Sequence, residues 1–195
     1  MFGALEILGS VDPGEYRRVE AGNTERDAML QGAELFQLLG LFERRGALLH
    51  NSAIVIGDGR IIGCYAKHDP REAGCTPGTQ RPVFACDDWP FAISICRDTL
   101  SSELALDLKA RGARLLCYPL GNMLLPEVAA VNRAMTLGCH VERARETGCW
   151  VVSADVVGTH EGWIAHGNTR VLAPDGAVVA EVPEDETGMI MVTIG

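Results

Sequence analysis

The chain has little positive charge and no cluster of it. Its 195 residues carry 17 Lys and Arg against 26 Asp and Glu, which gives a formal net charge of -9. A surface of this sign repels nucleic acids and anionic membranes, so we expect neither as a partner. With 47% hydrophobic and 22% charged residues, the composition is typical of a compact protein, and we predict a single domain over residues 1–195.

Long apolar runs and secretion signals are also missing. The longest uncharged apolar stretch, residues 115–126, is too short to span a bilayer and is interrupted by Pro119, Gly121 and Asn122. The N-terminus lacks the cationic segment and the apolar run of a secretory signal. We therefore expect a cytoplasmic location, where thiols stay reduced.

Cysteine and histidine spacings that hold metals are absent from the sequence. The seven cysteines form no CxxC pair, and the five histidines form neither HxxxH nor HExxH. A disulfide framework and a zinc site are therefore not indicated, and we expect no cofactor. His160 and His166 enclose a segment that can border a pocket.

Segments rich in Val and Ile alternate with amphipathic helical segments, which predicts an α/β or layered α+β fold. The strands are predicted over 35–42, 53–56, 61–65, 91–95, 114–118, 150–154, 171–173, 177–182 and 189–194. One helix is predicted to begin at Ser101 or Ser102 and to end at Gly112. A longer one is predicted over 127–147, with Gly148 ending it.

Cys96 is distinctive among the cysteines by its position. It stands where a hydrophobic strand stops and a helix is about to begin. A thiol there can project into a cleft at the carboxyl edge of the sheet, and the positive end of the helix is expected to lower its pKa. This position suits a nucleophile, although a buried structural role is the commoner fate of a free cysteine.

Lys67 follows a predicted strand and enters a loop that contains Pro70. A lysine that points inward from such a place stabilises a thiolate and an oxyanion, whereas a solvated loop charge is the alternative. Glu72 and Asp69 are the nearby acids that can pair with it.

Short motifs lie along the chain from about residue 33 to its end. They are Gly40 to Glu43, Asn51 to Ile56, Asp58 to Gly63, Tyr65 to His68, Thr76 to Gly78, Ile95 to Asp98 with Glu103, Arg111 to Leu116, Arg143 to Glu146, Val151 to Asp155, Gly167 to Thr169 and Pro174 to Gly176. In this order and at these intervals, they resemble the carbon-nitrogen hydrolase family, also called the nitrilase superfamily.

The resemblance implies an αββα sandwich and a metal-free cysteine hydrolase with a Glu-Lys-Cys triad. Carried onto this sequence, it makes Cys96 the nucleophile and Lys67 the cation that holds the thiolate and the oxyanion, with help from the backbone N–H of Arg97. Glu72 matches a second glutamate that positions substrate in the family.

The start of the chain departs from the family. The family's general base follows an opening strand and helix, usually in a Phe-Pro-Glu motif, and both elements are missing here, so we expect an N-terminally shortened sandwich. Glu6 is the candidate for the base, since it ends an apolar run and lies 37 residues before Glu43. Further departures are Arg97 for an aromatic residue, Asp155 for the usual Asn, and Asn168-Thr169 for a Ser motif.

These observations lead to the hypothesis of an amidase-like hydrolase that acts on carbon-nitrogen bonds of a small amide or nitrile through a cysteine thioester. We expect it to form a homo-oligomer. A catalytically impaired homologue that serves as an oligomer subunit is one alternative. An isochorismatase-type cysteine hydrolase, with a similar length and an Asp-Lys-Cys triad, is the other.

Overall fold

The computed structural model describes residues 5–8, 35–57, 59–85 and 89–194, with the backbone alone for residues 5–8, 35 and 36. Its strands are β1 Leu5–Leu8, β2 Leu35–Arg45, β3 Leu48–Gly57, β4 Arg60–Ala66, β5 Val83–Phe84, β6 Phe91–Ile93, β7 Leu115–Pro119, β8 Trp150–Ala154, β9 Val157–His160, β10 Trp163–His166, β11 Arg170–Leu172 and β12 Val178–Glu181. Its helices are the 3-10 helix Cys96–Leu100, α1 Ser102–Ala110 and α2 Pro126–Thr147.

The strands form two main sheets and a hairpin. The first sheet has the order β1-β2-β3-β4, and every neighbouring pair in it is antiparallel. The second has the order β12-β11-β8-β7-β6-β5, in which β6, β7 and β8 run parallel. Strands β9 and β10 form a separate hairpin, and Ile164 of β10 makes an isolated antiparallel bridge with Leu124.

The two sheets pack face to face. Leu38, Val55 and Tyr65 of the first sheet share a buried cluster with Phe91 and Leu115 of the second. This cluster is the core of a sandwich of two sheets. The ends of the parallel strands lie at the edge of this core, and the 3-10 helix follows β6 there.

The helices cover the outer face of the second sheet. Leu104 and Leu108 of α1 and Ala144 of α2 pack in one cluster with Leu116 and Val151 of the sheet. Strand β7 is buried along its whole length because it has a sheet on one side and helices on the other. The described residues thus supply a β-β-α part of the expected layered arrangement.

Both helix ends follow the sequence signals. The side chain of Ser101 accepts a hydrogen bond from the backbone N–H of Leu104 at 3.1 Å, which caps α1. Gly148 ends α2 with φ of 63°, the left-handed conformation for which glycine is suited. The predicted helices are therefore confirmed to within a few residues.

The predicted strand over residues 189–194 is wrong, since this segment forms no ladder in the structure. Strand β12 is the edge of its sheet, and Met189 is 64% exposed. An apolar run rich in β-formers does not make a strand without a neighbour that satisfies its backbone groups. The β9-β10 hairpin was not predicted, and it contains both His160 and His166.

No helix of the described part is long and apolar enough to cross a membrane.

Candidate active site

Cys96 lies at the junction between β6 and the 3-10 helix that precedes α1. Its φ is 47°, a left-handed conformation that is uncommon for a residue with a Cβ. Such strain persists only where surrounding contacts hold it, and it is frequent at functional turns. The predicted strand, sharp turn and helix around Cys96 are confirmed.

A buried carboxylate fixes this turn. Asp98 is 2% exposed and accepts hydrogen bonds from the hydroxyl of Tyr65 at 2.7 Å and from the backbone N–H of Ile95 at 3.1 Å. It also accepts from the backbone N–H groups of His68, at 3.2 Å, and Asp69, at 2.8 Å. One side chain therefore joins the turn that carries Cys96 to the end of β4 and the loop that follows it.

Helix α2 supports the same turn from the other side. The buried side chain of Arg143 donates to the backbone carbonyl of Thr99 at 3.1 Å. The Arg143 Nε atom lies 2.6 Å from a carboxylate oxygen of Glu146, and Ser102 donates to that carboxylate at 2.8 Å. The start of α1 and the 3-10 helix are thus tied to the body of the fold.

Lys67 is the first residue after β4 and is 4% exposed. Its Nζ lies 2.8 Å from Glu72 Oε1, and Asn51 Nδ2 donates to the same oxygen at 2.9 Å. Partial burial is the largest single influence on Glu72 and acts to raise its pKa, but the hydrogen bonds from Lys67, the backbone and Asn51, together with the Lys67 charge, outweigh it, so the Glu72 pKa is lowered. Lys67 is therefore an inward-facing cation, and the reading of a solvated loop charge is wrong.

The backbone of Lys67 is held by hydrogen bonds from both of its sides. Its N–H donates to the carbonyl of Asn51 at 2.8 Å, and its carbonyl accepts from the N–H of Gly78, also at 2.8 Å. A Cβ on Gly78 would overlap the backbone carbonyl of Ala66. Only glycine permits this close approach, and it keeps the lysine in place.

The sulfur of Cys96 lies among opposing influences. Burial raises the Cys96 pKa, while the charge of Lys67 and the backbone N–H of Gly121 act to lower it. The carboxylates of Asp155 and Glu72 act to raise it. The net direction is upward, so the expected lowering of this pKa is wrong. The thiol is partly buried at the start of a five-residue 3-10 helix, and its removal from water penalises the charged thiolate.

Asn122 and Asp155 complete the surroundings of the sulfur, and neither was assigned a role from the sequence. Cys96 Sγ donates to Asn122 Oδ1 at 3.3 Å, and Asn122 Nδ2 donates to Asp155 Oδ2 at 3.0 Å. Asn168 Nδ2 donates to the same Asp155 oxygen at 3.0 Å, and the Asp155 N–H donates to Thr169 Oγ1 at 3.0 Å. The departures from the family motifs at 155, 168 and 169 thus contact one another.

Glu6 lies in β1, at the edge of the first sheet opposite to β4. Its side chain lies outside the described residues. Across the sheet, Glu6 pairs with Gln37 of β2, which pairs with Ile56 of β3, which pairs with Ile61 of β4. Lys67 comes six residues after Ile61, which is roughly 20 Å along a strand. This backbone placement does not support the expected contact of Glu6 with Lys67 or Cys96, because the strand order separates them.

The side chain of Arg97 is held at the surface. Its Nε lies 2.7 Å from Asp69 Oδ2, and both side chains are 42% exposed. This ion pair directs the guanidinium toward the loop after β4. The oxyanion role assigned to Arg97 rests on its backbone N–H and stays a prediction.

A histidine and two acids form another titratable cluster among the described residues. The ligand atoms of His166, Glu184 and Asp185 lie within 4.8 Å of one another. Arg133 already places a cation 3.8 Å from Glu184, and the two acids are exposed. We assign no metal to this cluster, since exposed acids beside an arginine are ordinary surface chemistry.

A cavity of about 60 Å³, partly open to solvent, adjoins Asp155 and is lined further by Val157, Thr169 and Glu186. Its lining in the described residues does not include Cys96 or Lys67. The cavity therefore does not define where the reacting bond of a substrate lies.

Two packed sheets with helices on the outside of one, a strained cysteine after β6 and a buried lysine after β4 characterise the described part of the chain. A family model described as carbon-nitrogen hydrolase matches residues 26–195, and the chain belongs to this family. Its place in the nitrilase superfamily is thereby confirmed, and the isochorismatase-type alternative is set aside.

Curated relatives carry several activities. The chain is 28% identical to a nitrilase of Pyrococcus abyssi over 78% of this chain and 56% of that protein. It is also 28% identical to the deaminated glutathione amidase of Bos taurus, over 89% of this chain and 59% of that protein. The chain thus spans less than two thirds of the length of these relatives.

A solved structure shows the same fold. The carbon-nitrogen hydrolase of Helicobacter pylori aligns with a TM-score of 0.71 at 24% identity, covering 77% of this chain and 58% of that one. At this identity the likeness establishes the architecture alone. The nitrilase-type fold predicted from the motifs is therefore confirmed.

Proposed function

We propose that the protein is an amidase-type hydrolase that cleaves the carbon-nitrogen bond of a small amide through a thioester on Cys96. The observation that carries the proposal is the buried Lys67 ammonium, which is held by Glu72 at 2.8 Å and whose charge acts on the Cys96 sulfur. A buried cation beside a strained cysteine is costly to build, and it suits a reaction in which negative charge appears on sulfur and then on oxygen.

The reaction has two halves. In the first, a carboxylate takes the proton from Cys96 Sγ while the sulfur bonds to the amide carbon, and the carbonyl oxygen becomes an oxyanion held by Lys67 and the N–H of Arg97. The proton passes to the nitrogen, the carbon-nitrogen bond breaks, and ammonia or an amine leaves. In the second half, water attacks the thioester, which releases a carboxylic acid and returns the thiol.

Glu72 is the carboxylate that we assign to the proton transfers. It contacts Lys67 directly, and its charge acts on the Cys96 sulfur. Its lowered pKa keeps it ionised at neutral pH, as a proton acceptor must be, although the same shift makes it a weaker base. Glu6, which the resemblance implies as the base, belongs to the opposite edge strand.

The competing hypothesis is a catalytically impaired homologue that acts as an oligomer subunit. The placement of β1 favours it, because a family member whose base is missing retains the cysteine and the lysine without turnover. The same experiment separates the two hypotheses.

The test measures ammonia release from a panel of small amides and nitriles, together with the mass of the protein after rapid quenching. We expect amide turnover and an acyl adduct on Cys96. Cys96→Ala abolishes both, and Glu72→Gln lowers turnover by about 10²–10⁴-fold, the usual value of a general base. Glu161→Gln, at a glutamate that is 83% exposed, serves as the control and leaves turnover unchanged.

Two outcomes would contradict this assignment. If Glu6→Gln abolishes turnover and Glu72→Gln does not, the base is Glu6. If no compound of the panel gives ammonia or an adduct, the impaired homologue is the better description.

A further inference from the structure

The orientation of the Asn122 amide is fixed by its neighbours. Its nitrogen lies 3.0 Å from Asp155 Oδ2, and an ionised carboxylate only accepts hydrogen bonds. A flipped amide would place its oxygen against that carboxylate oxygen at the same distance. The amide oxygen of Asn122 must therefore be the atom that faces the Cys96 sulfur, 3.3 Å away.

Asp155 is itself held firmly. Its Oδ1 accepts from the backbone N–H groups of Asn122, at 3.0 Å, and Val156, at 2.9 Å. Its Oδ2 accepts from the side-chain amides of Asn122 and Asn168, both at 3.0 Å. Four donors from three chain segments thus hold the carboxylate in one position. The fixed carboxylate in turn holds the Asn122 amide in one orientation.

An acceptor that faces a sulfur favours the protonated form. The S–H group of a thiol donates to the Asn122 oxygen, whereas a thiolate at that place would face the same oxygen with no proton between them. The charged groups acting on the sulfur are Lys67 on one side and the carboxylates of Asp155 and Glu72 on the other. The Gly121 N–H acts in the same sense as Lys67.

We propose that Asp155 is a positioning residue that acts through Asn122 to hold Cys96 as the neutral thiol in the free protein. This inference rests on the proposed role of Cys96 as the nucleophile. The nucleophile is then deprotonated by the base during attack rather than stored as a thiolate. Asp155 does not touch the sulfur, and its effect passes through the amide that it orients.

The substitution Asp155→Asn tests the inference. The new amide presents a donor and an acceptor, so Asn122 is free to turn its own nitrogen toward Cys96 and its oxygen toward residue 155. A carboxylate charge near the sulfur is lost at the same time. Both changes favour the thiolate, and we expect the ionisation midpoint of Cys96 to fall by about one pH unit.

The measurement is the rate of alkylation by iodoacetamide as a function of pH, read by mass spectrometry on the peptide that contains Cys96. A fall of about one unit gives roughly tenfold faster alkylation at a pH below both midpoints. Cys139 of α2, whose pKa is raised chiefly by its own burial, is the internal control, and its profile stays unchanged.

A second variant distinguishes the action of Asp155 through Asn122 from a direct effect of its charge on the sulfur. Asn122→Ala removes the acceptor and is expected to lower the Cys96 midpoint. In the Asn122→Ala background, Asp155→Asn is expected to lower the midpoint by less than half as much as in the parent protein. An equal effect of Asp155→Asn in both backgrounds would overturn the action through Asn122. If Asp155→Asn does not fold, a wild-type midpoint in Asn122→Ala overturns it as well.

Alkylation does not require turnover, so the two proposals fail separately. A protein that shows the shift but no hydrolysis of amides refutes the proposed function and retains the inference about Asp155. A protein that hydrolyses amides but shows no shift does the reverse.

Discussion

Replacing Asp98 with Asn tests whether one buried carboxylate holds the candidate site together. Asp98 accepts four hydrogen bonds, from the Tyr65 hydroxyl and from the backbone N–H groups of Ile95, His68 and Asp69. An amide keeps only one acceptor oxygen. Its NH₂ group must face at least one of these donors, wherever it is placed.

The loss of stability follows from how the four hydrogen bonds are divided between the two oxygens of Asp98. Three donors converge on Oδ2 and one on Oδ1, so the amide oxygen of the variant takes the Oδ2 position and its NH₂ group faces the N–H of Asp69. One charge-assisted bond, of about 1.5–3 kcal/mol, is lost outright, and the other three weaken because the acceptor is neutral. The buried charge that disappears offsets part of this loss. We expect the free energy of unfolding to fall by about 3 kcal/mol.

Urea unfolding at neutral pH, followed by circular dichroism, measures this change, and ammonia release measures its effect on turnover. If the protein hydrolyses amides as proposed, turnover is expected to fall in the folded fraction, because the bond from Asp69 is lost and the bonds from Tyr65 and His68 are weaker, so the turn of Cys96 is held less firmly to the loop after Lys67. Asp69→Asn is the matched control, since Asp69 is 42% exposed and its surface ion pairs are worth roughly 0–1 kcal/mol. An Asp98→Asn protein within about 0.5 kcal/mol of the parent, with full turnover, would refute the reasoning.

Two further predictions concern stability. Burial, with a smaller contribution from the charge of Arg170, lowers the pKa of His140 from 6.5 to about 3, so between these values the unfolded chain binds a proton that the folded one does not. The free energy of unfolding therefore falls with decreasing pH over this window, by about 1.4 kcal/mol per pH unit. Urea titrations at several pH values measure this slope, and His140→Leu is expected to remove it. An unchanged slope in His140→Leu would exclude His140 as its source. Gly78→Ala is expected to lower the free energy of unfolding by about 1–3 kcal/mol, because the new Cβ overlaps Ala66. Gly138→Ala in helix α2 is expected to raise it by about 1 kcal/mol, because the new Cβ meets no atom within 4 Å and alanine favours a helix. Equal effects of the two glycine substitutions in thermal or urea unfolding would contradict the close approach at Gly78.

The features that sequence predicted well are those with local signals. Ser101 and Gly148 mark helix ends because a cap is made by residues a few positions away. The turn at Cys96 is visible because an apolar run stops there and a capped helix follows. The segment 189–194 is an equally clear apolar run, but it pairs with no neighbouring strand among the described residues, and no local signal reports that.

The features that sequence missed depend on distant residues. The sequence interval favours Glu6, but the strand order that separates it from Lys67 is set by the pairing of β1 with β2. The pKa of Cys96 depends on burial and on Asp155, which is 59 positions away in the chain. The role of Asp98 had a weak signal, a carboxylate two residues after the candidate nucleophile, but three of its four partners, Tyr65, His68 and Asp69, lie about 30 positions away, in β4 and the loop after it.

In the proposed mechanism, the charges around Cys96 bear on how its thiolate is generated. The charge of Lys67 acts on the sulfur, but the Lys67 ammonium already contacts Glu72 at 2.8 Å, so the pair carries little net charge. A pair of this kind does not by itself ionise the thiol, because burial penalises the thiolate and Asp155 opposes it. Under the proposal, the balance changes when Glu72 accepts the thiol proton. The charge of Glu72 is then neutralised, Lys67 becomes an unbalanced cation, and the oxyanion that forms at the same moment is the anion that it can stabilise. Proton transfer to Glu72 and stabilisation of the oxyanion by Lys67 would therefore reinforce each other in the transition state, where such stabilisation raises the rate.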